Sequence, residues 1–113
     1  TNMEFHAERV AKIIERELST ILLMEAKNNL LKYVSITKVV ATKDLSLATI
    51  WFTIRGDESE KKATIEALES AKGFLRSELS HRLDVRKTPE LRFKLDESLA
   101  YGEKIDQILK GLK

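Results

Sequence analysis

Lys72, Gly73 and Arg76 are the residues whose types and spacing point most directly to chemistry. In Ala71-Lys72-Gly73 a cation stands beside the residue with the least steric bulk, inside a run that otherwise reads as helix. A glycine in a helix interior is less favourable than alanine by up to ~1 kcal/mol, so Gly73 either bends the rod or lets something approach its backbone closely. A helix that restarts at a bend presents first-turn amides without intrahelical acceptors, together with the positive end of its dipole. That arrangement attracts an anion, and phosphate is the natural occupant. Arg76 follows Lys72 by four residues and shares its helical face. Arg82, Arg86, Lys87 and Arg92 continue the basic supply. Taken alone, a packing kink flanked by solvated cations accounts for the same residues.

Other chemistries find less support. There are two histidines, His6 and His81, neither with a second ligand at metal-binding spacing, so no metal site is expected. Asp57-Glu58 and Asp96-Glu97 are adjacent carboxylates at helix starts, where such residues cap rather than form an acid/base couple. Ser77 and Ser80 lack a nucleophile-elbow context. No phosphate-cradling glycine loop is present, and no cofactor is implied. Cysteine is absent, which excludes disulfides and thiolate chemistry and suits a reducing compartment. Enzyme activity is therefore not expected. Trp51 sits among Thr49, Thr53, Arg55, Arg92 and Lys94 and could stack an unpaired base. One aromatic is a thin platform, and packing against strand neighbours is the stronger reading. Arg9, Lys12 and Arg16 share a helical face, but Glu8 and Glu15 flank them, which reads as an ion-pair surface.

The elements that must position these residues can be read from hydrophobic spacing. With 113 residues, 42% hydrophobic and 34% charged, the chain suits one globular domain spanning 1–113. No stretch approaches the length of a membrane span, and the N-terminus lacks a secretory layout. Net charge is only +2, yet residues 32–56 carry +3 and residues 72–94 carry +4, so one side of the fold could be basic. Val10, Ile13, Ile14, Leu18, Ile21 and Leu22 make an amphipathic helix near 4–25. Residues 33–42 read as a strand whose buried set changes phase at Thr37-Lys38, the mark of a bulge. Residues 47–55 alternate strictly, with Ala48, Ile50, Phe52 and Ile54 on one side. Asp57 and Glu60 resemble a capping box. Ile65, Leu68, Ala71, Leu75, Leu79 and Leu83 then form a stripe through Gly73, giving helices near 59–71 and 73–84 joined by a kink. Thr88-Pro89 precedes a third strand carrying Leu91, Phe93 and Leu95. Tyr101, Ile105, Ile108, Leu109 and Leu112 place a last helix from about Ser98. The expected class is α+β, a three-stranded sheet with its helices on one face, in the order α-β-β-α-kink-α-β-α.

That order, with Ala71-Lys72-Gly73 at the kink, resembles a type II KH domain, which carries a Gly-x-x-Gly backbone clamp there. More narrowly the chain resembles the bacterial ribosome-binding factor A family, which has Ala-x-Gly instead. The likeness rests on Glu8-Arg9-Val10, Arg16-Glu17-Leu18, Thr42-Lys43-Asp44-Leu45-Ser46 and Ile50-Trp51 before Gly56. It continues through Ser70-Ala71-Lys72-Gly73-Phe74-Leu75-Arg76, Arg82-Leu83, Thr88-Pro89-Glu90-Leu91 with Phe93, Asp96-Glu97-Ser98, and Gly102 with Ile105-Asp106-Gln107-Ile108-Leu109. It covers about residues 8–110. The resemblance implies a cytoplasmic ribosome assembly factor, a monomer when free, that binds immature small ribosomal subunits and their ribosomal RNA. It implies help in late maturation, particularly in the cold, with ribosomal proteins as further neighbours. Two departures count: residues 2–8 lack the basic cluster many relatives carry, and Ala-x-Gly need not grip four nucleotides as a standard KH loop does. Lys72, Gly73 and Arg76 are the expected centre of RNA contact, supported by Arg82, Arg86, Lys87 and Arg92. Reversing the charges of Lys72 and Arg76 is expected to weaken binding with little change in melting temperature. The rival readings are a protein-interaction adaptor using the Trp51 face and a general single-strand RNA chaperone.

Overall fold

Residues 2–25, 28–83 and 85–97 are described by the computed structural model. The first helix, α1, runs Asn2–Thr20 and widens into a π-turn over Ile21–Glu25. Ser19 and Thr20 donate their hydroxyls back to the Glu15 and Arg16 carbonyls at 2.8 and 3.1 Å, a bond pattern that loosens a helix end. A 3₁₀ turn at Asn29–Tyr33 follows, capped by the Asn28 side chain, which accepts from the Leu30 amide at 2.9 Å. The sequence reading sees Asn28-Asn29 as a break; the structure adds this short turn, whose Leu31 is buried in the core.

Strands β1 (Val34–Ala41) and β2 (Leu47–Ile54) form an antiparallel hairpin. The register shifts between Ile36 and Lys38, the position at which the buried pattern changes phase. Their connection is held by Asp44, whose carboxylate accepts from the Thr42 and Ser46 hydroxyls at 2.8 Å and from the Ser46 amide at 3.1 Å. Those bonds, from Ser46 above all, hold the Asp44 carboxyl below the usual carboxylate range. Leu45 takes the left-handed conformation (φ 59°) that closes the turn.

Gly56 then turns the chain at φ 131°, where a Cβ would also lie 2.8 Å from a Glu60 carboxylate oxygen. Asp57 caps α2 (Glu58–Ser70), its carboxylate accepting from the Glu60 amide at 2.8 Å. Helix α3 (Lys72–Ser80) follows after one residue, and turns at His81–Leu83 complete the stripe where a helix to residue 84 was expected. Strand β3 (Glu90–Leu95) lies parallel to β2, giving a mixed sheet in the order β1-β2-β3. A parallel neighbour needs a crossover, which α2 and α3 supply. The expected last helix lies outside the described residues.

Every second residue of β2 is buried: Ala48, Ile50, Phe52 and Ile54. They meet Val10, Ile14 and Leu18 of α1, Leu68 of α2, and Leu75 and Leu79 of α3 in one core, with the helices on a single face of the sheet. Phe93 meets Phe52 edge to face, ring centroids 6.2 Å apart. Ile65, expected in the stripe, is instead exposed, and Thr64 takes the inward position. Thr64 is admitted because its hydroxyl donates to the Glu60 carbonyl at 2.7 Å, which leaves no unpaired polar atom on this side chain in the core.

Candidate nucleic-acid interface

The bend is a break of one residue. Ala71 ends α2 with φ −87° and ψ −3°, its N–H bonded to the Ala67 carbonyl at 2.9 Å. Its own carbonyl accepts from the Leu75 amide at 2.8 Å and so begins α3. No side chain caps α3. The first-turn amides of α3 therefore have no acceptor within that helix and no capping oxygen. Gly73 lies in this turn, exposed, and a Cβ built on it meets no heavy atom within 4 Å. Its φ lies outside the range that demands glycine. Neither packing nor backbone conformation in this chain calls for a glycine there.

Residues 73, 76, 77 and 80 recur at helical spacing, and together with Thr88 they line a shallow groove along α3. Ser77 and Thr88 add hydroxyls to the groove that the charge reading passed over, and Ser80 lines it with its own hydroxyl donated to the Ser77 carbonyl at 2.5 Å. The three- and four-residue spacing from Gly73 was the signal that could have found the two serines.

The seven residues expected at the interface do not form one surface. Lys72, Gly73 and Arg76 all lie in the first turns of α3, but only Gly73 and Arg76 line the groove, and both cations have commitments of their own. Lys72 Nζ lies 3.1 Å from Glu69 Oε2, a partly exposed pair one turn back. Such pairs contribute little net stability, so Lys72 can exchange partners cheaply. Arg76 donates from Nη2 to the Thr88 carbonyl at 2.9 Å, tying α3 to the segment before buried Pro89 and β3. A charge reversal at Arg76 breaks this tie, so an unchanged melting temperature is now expected for Lys72 alone.

Arg82 is spent elsewhere: its Nη1 lies 3.1 Å from Glu17 Oε2, bridging the end of α3 to α1. Arg16 Nε approaches the other oxygen of Glu17 at 3.9 Å. Arg86 and Lys87 are exposed and line a different hollow, beside His6 and the Asp44-Leu45 turn. Arg92 stands on the open face of the sheet, paired in register with Thr49. On that face Lys94 Nζ sits 5.4 Å from the centroid of the Trp51 ring, a cation–π contact between neighbouring strands. His6 and His81 are exposed, His81 at the C-cap of α3. Among the described residues no cluster of histidine, aspartate or glutamate is placed to hold a metal, and no helix is long and apolar enough to cross a membrane.

A mixed three-stranded sheet, helices on one face, and a bent α-α crossover that presents a bare glycine define a KH-like fold of the second type. Solved structures share that architecture. The crystal structure of ribosome-binding factor A from Thermus thermophilus superposes with a TM-score of 0.68 at 20% identity, over 81% of this chain and 97% of its own. The solution structure of a putative ribosome binding factor A from Thermotoga maritima gives 0.56 at 26% identity, over 83% and 86%. A third neighbour, a homology model of Thermus thermophilus ribosome binding factor A fitted into the cryo-EM map of a 30S complex with that factor, gives 0.60 at 22% identity, over 75% and 89%. In sequence, the family profile for ribosome-binding factor A matches residues 6–109. A ribosome-binding factor A of Macrococcus caseolyticus (strain JCSC5402) is 43% identical over 110 residues, covering 97% of this chain and 96% of its own. The chain belongs to the ribosome-binding factor A family.

Proposed function

We propose that this chain is a single KH-like RNA-binding domain that binds immature small ribosomal subunits through their ribosomal RNA and assists late maturation in the cytoplasm. Family membership supports the ribosome as partner, as does the Thermus relative fitted into a 30S complex. The observation that carries the reading is Gly73: a helical glycine, exposed and unused by packing, in the uncapped first turn of α3. A sugar–phosphate backbone can approach such a turn more closely than a side chain there would allow, and the first-turn amides have no acceptor within the helix. Lys72 would transfer from Glu69 to a phosphate, and Ser77 would offer its hydroxyl along the groove. No covalent step is involved. A protein that binds one conformation of immature RNA better than another shifts the folding equilibrium toward it, by no more than its differential affinity. Ribosomal proteins beside the site would add selectivity.

Salt dependence tests this directly. Affinity for small subunits is expected to fall steeply with ionic strength, because neutralised phosphates release counterions. Lys72→Gln is expected to lower the log–log salt slope by about one unit while leaving the melting temperature unchanged. A shallow slope that the substitution does not move would favour the protein-adaptor reading. Equal competition by unrelated single-stranded RNA would favour a general chaperone.

A further inference from the structure

β1 stands first in the sheet, so one side of it pairs with β2 and, among the described residues, no strand pairs with the other. The phase of the ladder fixes which backbone groups that leaves. The Thr42 amide bonds the Leu47 carbonyl at 2.9 Å, and bonded and non-bonded pairs alternate along an antiparallel ladder. Ala41 with Ala48 and Val39 with Ile50 are then the non-bonded pairs, which turns the N–H and C=O of Val39 and Ala41 away from β2. Beside that edge, α1 and β1 frame a groove of about 440 Å³. Its walls are small side chains, Ala7 and Ala11 on the helix and Val39 and Ala41 on the strand. Exposed Lys12 and Lys38 rim it together with Lys43, and Glu8 is the one acid among its lining residues.

We infer that this edge accepts an extended acidic segment of a partner protein as a fourth strand. Such a segment bonds the outward backbone groups of Val39 and Ala41, which supplies affinity with little sequence preference. Its alternate side chains point toward α1, where the two alanines leave room for them. The lysines select the partner. A second copy of this chain would bring Lys12 and Lys38 against their like, which disfavours self-pairing, whereas carboxylates are drawn in. The register shift between Ile36 and Lys38 confines the usable edge to the half of β1 nearer the hairpin. The inference is independent of the RNA reading of the Gly73 bend, which lies on other elements.

The test titrates the isotope-labelled full chain with a synthetic peptide alternating glutamate and valine. Its controls are the same peptide N-methylated at alternate backbone nitrogens, in either register, and a lysine–valine counterpart. The acidic peptide is expected to slow amide exchange at Val39 and Ala41 about tenfold or more, and N-methylation in one register is expected to abolish this. Lys12→Glu with Lys38→Glu is expected to weaken binding about tenfold. Indifference to N-methylation, equal binding of the lysine peptide, perturbation centred away from β1, or no binding at millimolar peptide each overturns the inference.

Discussion

Gly73→Ala is expected to weaken binding to small ribosomal subunits at least about tenfold while leaving the protein as stable as before or slightly more so. The two effects have separate causes. A Cβ at this position meets nothing within 4 Å in the free protein, so the methyl group strains nothing. Alanine is also the better helix former and restricts the unfolded chain, which together give a gain of about 0.5–1 kcal/mol. In the complex the same methyl group would occupy the space that a phosphate backbone needs beside the first-turn amides. A tenfold loss corresponds to about 1.4 kcal/mol, the order expected when one charge-assisted hydrogen bond is lengthened or lost. Gly73→Asp adds like-charge repulsion toward the phosphate backbone and is expected to reduce binding further, with the fold retained because a carboxylate suits the positive end of a helix. Binding assays on purified subunits, paired with thermal melts, check both halves. Unchanged affinity of the alanine variant would mean that no backbone approaches α3 closely.

The second large effect falls on stability. Leu75 lies two residues beyond Gly73, fully buried among the helices and the sheet. Leu75→Ala removes that side chain and leaves a cavity, a change that destabilises by about 2–5 kcal/mol. For a domain of this size the melting temperature should fall by roughly 10–20 °C. Binding measured well below the new midpoint is expected to change by only a few-fold, because α3 is still formed there and Leu75 faces away from the groove. Gly73 and Leu75 are thus expected to behave as opposites, one setting contact and the other holding the contacting helix in place. A Leu75 variant that melts normally would show that α3 is not anchored through this residue.

Much of this was legible in the sequence, for reasons specific to each element. The strict alternation of Ala48, Ile50, Phe52 and Ile54 reads as a half-buried strand because a strand's faces alternate with period two, and the structure buries all four. The phase change at Thr37-Lys38 located the bulge, and Asp57 located the start of α2, because both signals are local. What failed to read from sequence depends on distance along the chain. Arg82 and Glu17 are 65 residues apart, and only folding shows that this cation is bound to α1. The bond from Arg76 to the Thr88 carbonyl is equally invisible, since a backbone acceptor carries no sequence signature. Counting cations along the chain therefore does not show which of them fold into contacts of their own, whereas the glycine can be placed at the bend from its position in the helical stripe. Ile65 misled in another way: a hydrophobic residue at helical spacing reads as core, and here Thr64 fills the place by satisfying its own hydroxyl.

Hydrogen exchange of the wild-type chain, free and bound to small ribosomal subunits, tests the central claim most directly. In the free protein the amides of Lys72, Gly73 and Phe74 should exchange quickly, since they open an uncapped helix with no acceptor inside it. On the subunit these three should become strongly protected. Protection elsewhere on the surface, with residues 72–74 exchanging as they do in the free chain, would contradict the account.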